Sequence, residues 1–152
     1  MRRTLIPLLA LAAVLVGVAP AAAKSGVAVT IRHQSKGCHS WSVNGGPYKA
    51  SQTIHVKAGT LVTFTNDDVM SHRLIQLAGP RVAEHNLRAP AGAAGFGAHA
   101  KPGLMERVGA GTRVVLAEKG VYRFTTKGGE DYFKGVETVG EDNVLRLTIV
   151  VS

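Results

Sequence analysis

The closing segment "LRLTIVV" sets Leu145, Leu147, Ile149 and Val151 on one side of a two-residue period, and this pattern restricts the fold of the 152-residue chain more than any other. Successive side chains of a β-strand point to opposite faces, so such alternation buries one face of a sheet and leaves the other to water. The period recurs where Val27, Val29 and Ile31 alternate with Ala28, Thr30 and Arg32, and again where Ile54 and Val56 alternate with Thr53, His55 and Lys57. "LVTFTN" puts Val62 and Phe64 on one face, and "VYRFTT" does the same with Tyr122 and Phe124. "HRLIQL" and "TRVVLA" read as further strands, and no segment carries an amphipathic helical period. Lys57-Ala58-Gly59-Thr60 holds the glycine of a tight reversal, and Asn66-Asp67-Asp68 ends the strand that follows it. Seven to eight short strands separated by turn signals predict an all-β domain, a two-sheet sandwich or a Greek-key barrel.

At the other end, Arg2 and Arg3 precede an apolar run from Leu5 to Val18 that closes in Pro20-Ala21-Ala22-Ala23, the layout of a signal peptide over residues 1–23. The run is shorter than the roughly 20 residues that a spanning helix needs. Lys24 is the expected mature start, and export to the periplasm or out of the cell follows, by the general route or the twin-arginine one. Residues 24–152 suit one domain, with no second stretch able to span a membrane. The net charge of +8 falls to +6 once Arg2 and Arg3 are removed. The remaining basic residues never stand two together and no aromatics interleave with them, so the charge reads as a solvated surface and not as a nucleic-acid face. From position 80 to 111 runs an alanine- and glycine-rich stretch too long for an ordinary connection, read as one or two mobile loops inserted in the domain. His85, His99 and Met105 lie there; each could reach a metal, but for a histidine in such a segment a solvated side chain is the expectation.

The only cysteine, Cys38, stands directly before His39 in "GCHSW". An oxidising compartment favours disulfides, yet this thiol has no partner within the chain. It is therefore buried and inert, paired with another molecule, or bound to a metal.

The stretch "VKAGTLVTFTNDDVMSHRL", followed by "GVYRFTT" and a closing "LRLTIVVS", resembles the cupredoxins, small secreted copper proteins built as a Greek-key β-sandwich. The likeness spans about residues 52–152 and implies a cupredoxin-like domain over 24–152. In that family a strand entered through a K-x-G turn ends in an Asn-Asp loop, and a histidine a few residues on ligates copper; His72 is the matching position, with Ser71 where many members carry proline. The family usually draws its other ligands, a cysteine, a second histidine and often a methionine, from the loop between the last two strands. Here that loop is "KGGEDYFKGVETVGEDN", which holds none of the three. Either the site is lost or it is built from other residues.

Chain direction bears on the choice. If the 57–60 turn marks the bottom of the sandwich, the strand before it starts at the top and the strand after it ends there. The loop of residues 34–51 and the loop after Asn66 then share one pole, and the resemblance puts the last loop at the same end. Cys38, His39, Met70 and His72 would converge with Glu130 and Asp131 on that rim. Thiolate, imidazole and thioether are the soft and borderline donors that suit copper, with zinc as the second candidate. The expected ligands are His72, His39, Cys38 and Met70, with Glu130 or Asp131 as a carboxylate ligand or as an acceptor for a ligating imidazole. Adjacent residues of an extended strand face opposite ways, so Cys38 and His39 share one ion only if the chain turns there. If it does not, His39 stays with His72 and Cys38 is an apolar plug. Trp41 is expected in the packing, His33 as a hydrogen-bonded interior residue and His55 in solvent.

Three functions compete. The first is an exported copper carrier or buffer, or a one-electron carrier, with a redox or copper-delivery protein as partner. A metal-free interaction module on the same sandwich is the alternative. An enzyme with Cys38 as nucleophile ranks last, because neighbours in sequence rarely have the geometry and no oxyanion site can be read.

Overall fold

A computed structural model describes residues 26–33, 39–95, 103–128 and 145–152, with the backbone alone at positions 33, 39 and 128. The expected signal peptide, Cys38, His99, Glu130 and Asp131 lie outside the described residues. The strands are β1 (Val27–His33), β2 (His39–Val43), β3 (Ser51–Val56), β4 (Thr60–Asn66), β5 (His72–Ala78), β6 (Glu84–Leu87), β7 (Leu104–Met105), β8 (Gly111–Leu116), β9 (Gly120–Gly128) and β10 (Arg146–Val151). They form two five-stranded sheets, ordered β2-β1-β4-β8-β6 and β3-β10-β9-β5-β7. Two pairs are parallel, β1 with β4 and β3 with β10. The other pairings are antiparallel. This is the cupredoxin-like β-sandwich that the sequence resemblance implied, with ten strands among the described residues where about seven to eight were expected.

The alternation that predicts the strands also fixes the interior. Along β4 every second residue from Thr60 to Asn66 is buried, so Val62 and Phe64 enter the core and the same period carries Asn66 inward at the strand's end. The β5 pattern does likewise with His72 and Leu74 while Arg73 faces out. Phe64 stands 5.5 Å from Phe124 of the facing sheet and 6.0 Å from Trp41, ring centre to ring centre. Burying an aromatic side chain of this kind contributes about 2 kcal/mol by area. Trp41 is thus a core residue, and His55 is exposed, both as the sequence predicts.

The 57–60 turn reverses the chain as expected, and because β3 and β4 belong to different sheets it forms a corner between layers. Its amides reach across that corner, Ala58 N–H to Ser152 O at 3.2 Å and Gly59 N–H to Leu116 O at 2.7 Å. The 34–51 segment is not a single loop, because Ser40 to Val43 pair with β1 from Arg32 back to Val29 and His39 with His33. Within the stretch from 80 to 111, β6 pairs with β8 and β7 with β5, and Met105 is wholly buried. A two-residue strand is too short to show a period, which is why the sequence conceals it.

β7 depends on Gly103. Its φ of +74° is a left-handed conformation, and a Cβ there would sit 2.5 Å from Glu84 Oε2 and 3.0 Å from Leu74 O. Gly103 O accepts from Leu74 N–H at 2.8 Å, and its own N–H donates to Asn86 Oδ1 at 3.1 Å. Gly103→Ala should cost about 2 kcal/mol, the left-handed penalty for an L-residue together with the displaced contacts, read from urea denaturation. Burial raises the Glu84 carboxyl above its ordinary range, partly offset by Arg73. A carboxyl that is more easily protonated in the folded state favours folding at low pH, and that contribution fades as pH rises through the folded value. Glu84→Gln is therefore expected to raise the melting temperature at pH 7, with the gain shrinking as pH falls through the raised folded value and gone below the ordinary carboxylate range.

Candidate metal centre

The strand directions gather one set of chain segments at a single pole. β4 ends there at Asn66, and β1, parallel to it with Ile31 opposite Asn66, ends there at His33. β2 begins there at His39, β5 at His72 opposite Gly128 of β9 and Met105 of β7, and β8 at Gly111 opposite Thr65. Backbone position 39 and residue 72 thus share the pole, in opposite sheets and with position 39 on the edge strand β2.

Asn66 organises what lies between them. Its side-chain amide donates to Met70 O at 2.8 Å and to Met105 O at 3.0 Å, while its Oδ1 accepts from Asp68 N–H at 2.8 Å. Its backbone is fixed as well, through Ala110 O at 2.8 Å and Gly109 N–H at 2.7 Å. Asp68 continues the chain of bonds: Oδ1 accepts from Met70 N–H at 3.0 Å and Oδ2 lies 3.3 Å from His72 Nε2. Both members of this last pair are buried, His72 wholly so. Ser71 Oγ donates to Glu106 O at 3.2 Å, closing the 67–71 loop onto the segment before β8. At the outer side, Asp67 N–H donates to Ile31 O at 2.7 Å and the Asp67 carboxylate binds the Arg32 guanidinium. That hydrogen bond first, and the charge of Asp67 second, raise the Arg32 pKa above its ordinary value.

Of the expected ligands, His72 is an interior imidazole at the pole and Met70 a half-buried residue of the 67–71 loop. His39 is placed by its backbone only. Among the described residues no three His, Cys, Asp or Glu side chains stand together to hold a metal. His85 is exposed on β6, as expected of it. Beyond ending β4, Asn66 and Asp68 carry no expected role at the site, and the burial of Met105 is not evident from the sequence. "TNDD" did carry a signal for the first two, since buried Asn and Asp at a strand end accept from amides two residues on.

The donor chemistry fits copper in kind. An imidazole steadied through one nitrogen by a carboxylate presents its other nitrogen in a fixed orientation, the arrangement common to metal-binding histidines. Methionine, present in the 67–71 loop and on β7, carries a thioether of the kind that suits a soft ion.

No family model matches the chain, and no curated protein matches it. Among solved structures it is similar to an oxidised amicyanin mutant at 18% identity, with 82% of each chain covered and a TM-score of 0.39. Amicyanin from Paracoccus versutus shows 17% identity over 82% of this chain and 81% of that one, with a TM-score of 0.38. A purple cupredoxin from Nitrosopumilus maritimus shows 16% identity over 82% of this chain and 98% of that one, with a TM-score of 0.42. These likenesses are of fold. Among the described residues no helix is long and apolar enough to cross a membrane.

Truncating Asn66 to alanine would strand two buried carbonyls and one amide, each worth about 1–3 kcal/mol when left unsatisfied. Asn66→Ala is expected to cost at least about 3 kcal/mol in urea denaturation. A loss under about 1 kcal/mol would show that the pole holds its shape without this amide.

Proposed function

We propose that this chain is an exported copper-binding protein, a carrier or buffer that holds the ion at the pole of a cupredoxin-like sandwich. The observation that carries the reading is the buried His72–Asp68 pair, set beside two methionine-bearing segments at the pole to which β1 and β2 also run. With Nε2 turned to Asp68, His72 would bind the ion through Nδ1. Met70, Cys38 and His39 are the proposed remaining donors, and Glu130 or Asp131 a proposed carboxylate ligand or hydrogen-bond acceptor. Copper, once bound, supplies a soft Lewis-acidic centre able to hold thiolate and thioether sulfur. The residues do the rest: Asp68 fixes the imidazole ring, Asn66 fixes the loop bearing Met70, and burial keeps water from His72. Export by the 1–23 leader, to the periplasm or the medium, and delivery to a copper-receiving or redox protein are part of the proposal.

A second reading has its own support. No three-residue group of metal-binding side chains is found among the described residues, and a buried Asp–His pair can also serve as structure alone. That protein would be a metal-free interaction module.

Titration of the mature protein with Cu(II) and then Cu(I), with His72→Ala, Asp68→Asn and Cys38→Ala alongside, separates the two. One ion per chain is expected, with binding lost in His72→Ala and weakened about 10- to 100-fold in Asp68→Asn. A sulfur-to-copper absorption band lost in Cys38→Ala would establish the thiolate as ligand. A colourless, tightly held Cu(I) favours the carrier over a one-electron shuttle, and no saturable binding of either ion leaves the interaction module standing.

A further inference from the structure

Beyond Met1 the chain has two methionines, Met70 and Met105. Both have their backbone oxygen bonded to the same buried Asn66 amide nitrogen. Met105 is moreover the cross-strand partner of His72, and both side chains are wholly buried, so both occupy the interior face of the β5–β7 pair. Directly opposed residues of an antiparallel pair have Cβ atoms about 4.5–5.5 Å apart, well within the reach of a methionine side chain. Residue 105 is therefore held opposite His72 by strand pairing, whereas Met70 belongs to a half-buried loop.

We propose that Met105 is a sulfur ligand at the His72 site, and that its thioether biases the bound ion towards Cu(I). This rests on the copper reading above and adds to it a donor from β7, a strand the sequence conceals. A neutral thioether offers little to Cu(II) but is a good donor for Cu(I), whereas a methionine that only filled the core would be indifferent to the ion's oxidation state.

Met105→Leu separates the two roles, because it preserves volume and apolarity and removes only the sulfur. With Cu(I) measured anaerobically against a chromophoric chelator, Met105→Leu should bind about tenfold or more weakly, while Cu(II) affinity changes less than about threefold. Equal weakening for both ions, or none for either, overturns the assignment. Should the variant not fold, the protein with Met70→Leu and selenomethionine at position 105 keeps the test open: copper-edge X-ray absorption of the Cu(I) form should show a copper–selenium path, and its absence overturns the assignment. If the wild-type protein binds no copper, the copper reading itself has failed and this inference falls with it. Copper binding that is intact in wild type and unchanged in Met105→Leu removes this inference alone.

Discussion

A polar group carried into the interior of a sandwich must find partners there, and the side-chain amide of Asn66 is where this chain meets that demand. The two-residue period of β4 turns Asn66 inward after Val62 and Phe64, so its amide arrives at the edge of the core with water excluded. Three backbone groups answer it, those of Asp68, Met70 and Met105. Because they belong to two segments far apart in sequence, satisfying one carboxamide also sets the spacing of the loop before β5 against β7. Removing a buried donor from such a network costs more than the net worth of its bonds, since the former partners stay buried.

What the sequence made legible follows from the same physics. The strands β1, β3, β4, β5, β8, β9 and β10 were readable because alternate residues along most of their length turn further inward than their neighbours. β2, β6 and β7 were not: "HSWSV" does alternate Trp41 and Val43 with Ser40 and Ser42, but its serines are buried too, and Leu104-Met105 is too short to have a period. Sheet membership was hidden for another reason. A turn such as 57–60 reverses the chain whether its strands pair or part, and the choice is made by β8 and β10, far off in sequence, which take up β4 and β3.

The candidate site was legible as a pole and not as a set of contacts. His72 could be placed because chain direction alone decides which end of a sandwich a loop occupies. Its partner Asp68 and its neighbour Met105 could not, since the first depends on a loop conformation and the second on a register formed by two residues. The same argument from chain direction pointed to His39, whose strand begins at the right end of the molecule but in the other sheet, on its edge.

Few connections in this fold join strands that lie side by side. Pairing of Arg146 with Ser51 spans 95 positions, and β4 finds β8 only after β5, β6 and β7 have been laid down between them. Contacts of such long range make folding slow, because the chain must surrender much freedom before any of them forms. His72 and Met105 are strangers in an unfolded polypeptide. A chain built this way brings them together only once β5 and β7 have paired, so that pole belongs to the folded body and has no counterpart in the thread.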